Sequence, residues 1–315
     1  MQNELFEQLK LTYKEHFEPY VAEGLEMYEK YKDYAFDKER ICRLNDTYHI
    51  FGDYLDVVLQ SADEIRADAA YSRLCYIIIS LLKQKGPLGM IKLSLSNRGE
   101  LASEFAGLFA IMYFVEEFAE DCKERGIPLE IVQNTLRGIN CIRKNKELSG
   151  YPGVTVYLDW LALYAYKELY RINHFIYQLG EKYEGKDVIS VHILGGVDLS
   201  TENVLREFAY AEKLFKTCFP EYHFEGFICD SWMLNPNLEQ IMGRKTKVSQ
   251  FGDLFERYEI DSKGTGVYRF VFNLLAPVDP KTLSENTSMQ KAIKKYLLEG
   301  NVFKEYGGFR KWDEK

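Results

Sequence analysis

From residue 5 to about residue 148, apolar positions recur at steps of three and four with few prolines between them, the spacing of amphipathic helices. Leu101, Phe105, Leu108, Phe109, Met112, Val115, Phe118 and Cys122 form the clearest stripe, and Gly126 followed by Pro128 supplies a stop and a new start. Ile131, Leu136, Ile139 and Ile142 give the next apolar face, and the basic run Arg143-Lys144-Asn145-Lys146 near its end suits the negative pole of a helix dipole. Gly150-Tyr151-Pro152-Gly153 then breaks the pattern, and a long aromatic-rich helix is expected over 156–179. Beyond it the period alternates: a strand at 188–194, a helix at 200–217, a strand at 223–230, and a short helix opened by Pro236. Strands around 250–260 and 266–273 follow, then a helix at 288–298 ended by Gly300, and a short aromatic and charged tail. The chain therefore reads as α+β (mixed α/β), with an all-helical N-terminal domain, 1–135, followed by a mixed-sheet domain, 136–315.

Composition narrows the function more than the fold. With 46% hydrophobic and 28% charged residues the 315-residue chain is globular, and its length allows two domains with sizeable cores. A net charge of -8 argues against nucleic acid and anionic membrane surfaces as partners, and mildly favours a cationic or neutral substrate. The most apolar run, LCYIIISLL at 74–82, is far short of the roughly 20 residues of a membrane span, so a buried helix is expected there. The N-terminus, MQNELFEQLK, lacks the basic and apolar regions of a signal peptide. Six cysteines without a CxxC pair suggest neither a zinc site nor a disulfide framework, so no metal is expected and the six thiols read as reduced ones in a cytoplasmic protein.

Candidate chemistry gathers between residues 188 and 232. The run ISVHIL at 189–194 leads into Gly195-Gly196, and Ser200 and Thr201 offer an N-cap to the following helix. Such a βα turn favours an anion by roughly 0.3–1 kcal/mol through the helix dipole, and a phosphate adds hydrogen bonds to the helix's unpaired N–H groups. The second strand ends in FICDSW, 227–232, where alternation puts Cys229 and Ser231 on one face and Asp230 and Trp232 on the other. His192 reads either as a hydrogen-bonded structural histidine or as a base; Cys229 as a nucleophile would need a base nearby, and His192 at the end of the neighbouring expected strand could supply it. His174 reads as a packing residue on the 156–179 helix.

The segments VHILGGVDLS (191–200), CFPEYHFEGFICDSWMLNPNLEQIM (218–242), YRFVF (268–272) and SMQKAIKKYLLEGNVF (288–303) resemble the GNAT-like C-terminal domain of bacterial acyltransferase domain-containing proteins. RINHFIYQL (171–179) resembles the segment just upstream, and GIPLEIVQNTLRGI (126–139) the end of the helical N-acyltransferase N-terminal domain that precedes it in that family. The family's HIP stands here as His192-Ile193-Leu194 and its CHSW as Cys229-Asp230-Ser231-Trp232. The superfamily's Q/R-x-x-G-x-G/A loop has only the partial substitute Gly195-Gly196. The resemblance implies transfer of an acyl group from acetyl-CoA or another acyl-CoA co-substrate to an amine of a small molecule or peptide. Gly195, Gly196, Ser200 and Thr201 would hold the CoA pyrophosphate, Asp230 or His192 would act as base, and a tyrosine such as Tyr258 or Tyr268 would protonate the leaving thiolate. An exposed N–H on a splayed strand would hold the oxyanion. Two other readings stay open: a non-catalytic GNAT scaffold serving in ligand binding or interaction, and a cysteine hydrolase or transferase built on Cys229 and His192.

Overall fold

The computed structural model describes residues 14–86, 101–150, 153–154 and 157–312. By its contacts the chain divides into two units, 1–171 and 172–315, while the sequence expectation sets the domains at 1–135 and 136–315.

The first unit is helical. Its described helices are α1 (Lys14–Tyr31), α2 (Lys38–Tyr48), α3 (Leu55–Ala67), α4 (Ala69–Lys83), α5 (Leu101–Met112), α6 (Val115–Glu124), α7 (Leu129–Leu136), α8 (Ile142–Ser149) and α9 (Leu158–Ala165). Asp37 and Asp68 start α2 and α4 by accepting backbone N–H groups of the first turn. The expected buried helix at 74–82 is the body of α4, and every one of its residues is inside. Gly24 of α1 rests against the backbone of Ile77, where a Cβ would come within 2.6 Å of the Ile77 Cα, so only glycine permits this approach. The Arg40 guanidinium is 1% exposed. Its Nε donates to Glu116 at 2.8 Å and its Nη2 to the Met112 carbonyl at 2.8 Å, linking α2 to α5 and α6. The expected continuous 101–122 stripe is divided by a turn at Tyr113 and Phe114, which resets the phase of the apolar face between α5 and α6. Gly126, at φ 73°, closes α6 as expected.

The sheet starts at the boundary with β1 (Leu169–Ile172), and the second unit supplies β2 (Phe175–Tyr183), β3 (Lys186–Ile193), β4 (Gly226–Ser231), β5 (Glu256–Glu259) and β6 (Tyr306–Lys311), in the order β1-β2-β3-β4-β6-β5. β3 and β4 are parallel, joined through helix α10 (Thr201–Cys218), whereas β2–β3, β4–β6 and β5–β6 are antiparallel. Phe208 and Phe215 of α10 pack on one sheet face, with Phe208 5.0 Å from Phe227 and Phe215 5.6 Å from Tyr177 between ring centroids. Short helices α11 (Leu238–Met242), α12 (Lys247–Gly252) and α13 (Gly266–Phe270) and the capped α14 (Ser288–Leu298) complete the unit. Val267, Tyr268 and Phe272 join Trp232, Ile293, Leu297 and Phe303 in a second, smaller core.

Three expectations are corrected. The 156–179 helix stops at α9, because Lys167 turns left-handed at φ 58° and Asn173 does so again at φ 49° between two aromatic and β-branched runs. Those runs are strands β1 and β2, and His174 sits in the turn between them with its Nδ1 3.0 Å from Glu207 Oε1. Residues 266–273 hold α13 and the turn that follows it rather than a strand: Val267, Tyr268, Val271 and Phe272 recur at helical spacing onto the small core, leaving Phe270 70% exposed. The expected strand around 250–260 begins as α12 and becomes β5 only at Glu256. The tail supplies β6, which inserts between β4 and β5.

Candidate active site

The parallel ladder between β3 and β4 is short. It pairs Ile189 with Phe227 and Ser190 with Ile228, and no further described pair follows although β3 runs on to Ile193 and β4 to Ser231. Past that pair the facing N–H and C=O groups of the two strands do not bond one another, so they are available to other partners. His192 and Asp230 each lie two residues beyond the last pair, on the sheet face opposite Phe227 and α10.

Asp230 meets Tyr258 across an intervening strand. Both residues stand opposite Gly307 of β6, Asp230 from one side and Tyr258 from the other. The Tyr258 ring lies over Gly307, where any Cβ would clash with it, and its hydroxyl hydrogen-bonds the Asp230 carboxyl. Tyr183 at the end of β2 stacks on Tyr258 at 5.1 Å and on Phe309 at 4.8 Å, fixing the ring from above. Partial burial raises the Asp230 carboxyl above the ordinary aspartate range, with the Tyr258 hydrogen bond opposing it. Burial and then the Asp230 charge push the Tyr258 phenol up to about 12, so it is a neutral donor at pH 7.

His192 is held apart from this pair by its own bond. Its Nε2 is 2.9 Å from Gln178 Oε1, and burial lowers the imidazole to about 4, leaving it neutral at pH 7 and a weak base. Cys229 lies on the α10 side of the sheet, 1% exposed, with its thiol pushed up by burial and by Asp230. It shares no face with His192, so the cysteine–histidine pairing is overturned.

A pocket of about 300 Å³ opens beside Asp230, lined also by Ser231, Trp232, Thr265, Gly266, Arg269, Phe270, Leu275 and Glu305. Apart from the residues of the 227–232 run, its lining escaped the sequence reading, because α13 was expected as a strand and Glu305 stands in the tail.

Residues 165–310 match the GNAT-like C-terminal domain family. This part of the chain is a GNAT-like C-terminal domain. The fold is similar to that of a solved acyltransferase mutant in complex with octanoyl-CoA, at 18% identity and a TM-score of 0.73, over 87% of this chain and 88% of that one. It is also similar to an acyltransferase in complex with decanoyl-CoA (19% identity, TM-score 0.68, 83% and 88% covered) and one in complex with decanoyl-CoA and teicoplanin (20%, 0.65, 80% and 83%). No curated protein matches the sequence. At these identities the likeness fixes the fold, a helical region followed by the GNAT-like domain.

In the GNAT-like domain the expected phosphate turn follows β3. Gly195 and Gly196 are exposed, Gly196 at φ 81°, and a Cβ on either would meet nothing within 4 Å. Ser200 and Thr201 open α10, but Ser200 does not cap it with its side chain. Its N–H and Oγ instead donate to Asp198 at 3.1 and 3.0 Å, and Asp198 accepts Lys247 Nζ at 2.7 Å. The Lys247 bond, then those from Ser200, hold Asp198 down at about 2. None of Gly195, Gly196, Ser200 and Thr201 lines the Asp230 pocket. Among the described residues no group of three or more His, Cys, Asp or Glu is placed to hold a metal, and no helix is long and apolar enough to cross a membrane.

Proposed function

We propose that the protein is an acyl-CoA-dependent N-acyltransferase that acylates an amine of a small molecule or peptide. The observation that carries this is the parting of β3 from β4 past Ser190 and Ile228, with the Asp230–Tyr258 pair at its end. The similar acyltransferases, with octanoyl-CoA and decanoyl-CoA in their complexes, support a CoA ester as co-substrate here. The ends of β3 and β4 past their last pair would border the thioester arm, and the unobstructed Gly195-Gly196 turn with the start of α10 fits its pyrophosphate.

Asp230 is the base: partial desolvation strengthens it, and it stands beside a pocket wide enough for an acceptor. It takes the amine proton as nitrogen attacks the thioester carbon. Tyr258 gives its phenolic proton to the sulfur as the C–S bond breaks and recovers one from Asp230, so amine and acyl-CoA become amide and free CoA thiol. N–H groups on the parted edge of β3 or β4 would hold the oxyanion. His192 is left to its bond with Gln178, since an imidazole lowered to about 4 accepts a proton poorly. The six cysteines, none of them in a disulfide, suit a reducing cytoplasm.

Thermal unfolding and titration calorimetry with acetyl-CoA and octanoyl-CoA test the reading. At ligand near 100 times its dissociation constant the native state gains about 2.7 kcal/mol. Absence of binding by either ester at millimolar concentration overturns it.

A further inference from the structure

The pocket beside Asp230 combines an apolar rim with charged walls. Its rim carries Phe270, 70% exposed, and Leu275, 55% exposed, two large apolar side chains held in water at the mouth of a cavity. Its wall carries two carboxylates, Asp230 and Glu305, against one guanidinium, Arg269. Glu305 is fixed by accepting the Gly266 N–H, and a side chain on Gly266 would strike its Oε1 at 2.5 Å, so glycine is required for the carboxylate to stand there. The chain as a whole is at -8, which adds a long-range preference of the same sign.

The geometry points to this pocket as the acceptor site for a cationic amphiphile: a primary ammonium group against Asp230 and Glu305, carried on an apolar body that covers Phe270 and Leu275. The assignment rests on the acyl-transfer reading for its use: the bound ammonium group gives one proton to solvent to become the amine, and Asp230, which held it, takes the second as the nitrogen attacks. It goes further in fixing the acceptor's character. A carboxylate-bearing or small hydrophilic amine leaves the apolar rim in water and gains little. The volume of about 300 Å³ is at the lower end for small-molecule sites, so the pocket takes the amine-bearing end of an acceptor, and any larger remainder lies outside.

Calorimetry with 4-phenylbutylamine, 4-phenylbutanol and 4-phenylbutanoate, without any CoA ester, separates charge from apolar contact. The amine should bind at least tenfold more tightly than the alcohol, and the carboxylate weakest of the three. Glu305→Gln keeps an acceptor for Gly266 and should weaken the amine about tenfold while leaving the alcohol unchanged. Phe270→Ala and Leu275→Ser, both at exposed positions, should weaken amine and alcohol alike, with unchanged circular dichroism and melting temperature. Equal affinity for the three probes, no binding at 10 mM, or indifference to Glu305→Gln and Phe270→Ala overturns the assignment. Amine binding without CoA-ester binding leaves the pocket standing and removes the acyl-transfer reading; ester binding without amine binding does the reverse.

Discussion

Asp230 and Tyr258 come from strands that do not pair with each other, and they meet because the strand between them presents Gly307 at the point where the tyrosine crosses. Removing the hydroxyl and removing the crossing should therefore have related effects. Tyr258→Phe keeps the stack on Tyr183 and should fold normally, while acyl transfer falls roughly 10²-fold, the usual contribution of a positioned proton donor. Gly307→Ala should match that loss and also cost about 1–3 kcal/mol, since the ring must move out of a packed position. Full transfer activity in Tyr258→Phe would remove the tyrosine from the chemistry.

Asp230 carries a stability cost of the opposite sign to a salt-bridged carboxylate. Its folded pKa is raised by burial, so the folded state binds the proton more tightly than the unfolded one, and stability declines as pH rises above the ordinary aspartate value. Asp230→Asn should then melt at or above the parent temperature at pH 7, with that advantage shrinking at pH 3, where the parent's carboxyl is protonated. The same variant should lose acyl transfer. A clear drop in its melting temperature at pH 7 would show that the ionised carboxylate stabilises the fold.

His192 gives a separate acid limb. Its folded value of about 4 lies below the ordinary 6.5, so stability is fully present above 6.5 and is lost as pH falls toward 4. The difference sets a ceiling of roughly 3 kcal/mol. His192→Gln, uncharged throughout, should flatten the fall of the urea midpoint between pH 6.5 and 4 relative to the parent protein. Parallel curves for the two would place the acid sensitivity elsewhere.

What the sequence made legible follows from where periodicity is strong. The β3–α10–β4 run and the span of α14 stand within a residue or a few of their expected places, because each has a clean repeat bounded by glycine or a capping residue. The β1–β2 hairpin was hidden by Leu169, Tyr170, Ile172, Phe175 and Ile176, whose spacing also fits a helix face; the deciding signal was Asn173, a residue that tolerates the left-handed turn. β6 was hidden by Gly307 and Gly308, poor strand formers, present because Tyr258 passes over the first and Phe255 and Leu234 press on the second. Asp230 and Tyr258 were both named from position, but their contact depends on β6 lying between β4 and β5, a long-range order that no local pattern encodes. The pocket was invisible for the same reason, since Glu305 reaches Gly266 across 39 positions of sequence.

Asp198 and Lys247 decide how well the start of α10 can take an anion. The helix end favours negative charge, and Asp198 already supplies one, bonded to the Ser200 N–H and paired with Lys247 at 2.7 Å. Both side chains are exposed, so the pair itself contributes little to stability. A CoA pyrophosphate at this turn would feel repulsion from Asp198 and attraction to Lys247. Asp198→Asn should raise acetyl-CoA affinity and Lys247→Ala should lower it, each by roughly threefold to tenfold. Because the charges face solvent, both effects should shrink at 0.5 M salt, where the screening length falls to about 4 Å. A bulky residue at Gly196 should abolish binding in either background. If instead both charge variants and Gly196→Trp bind acetyl-CoA like the parent protein, the phosphates lie away from Gly195-Gly196 and α10, and the ends of β3 and β4 must be approached from another side.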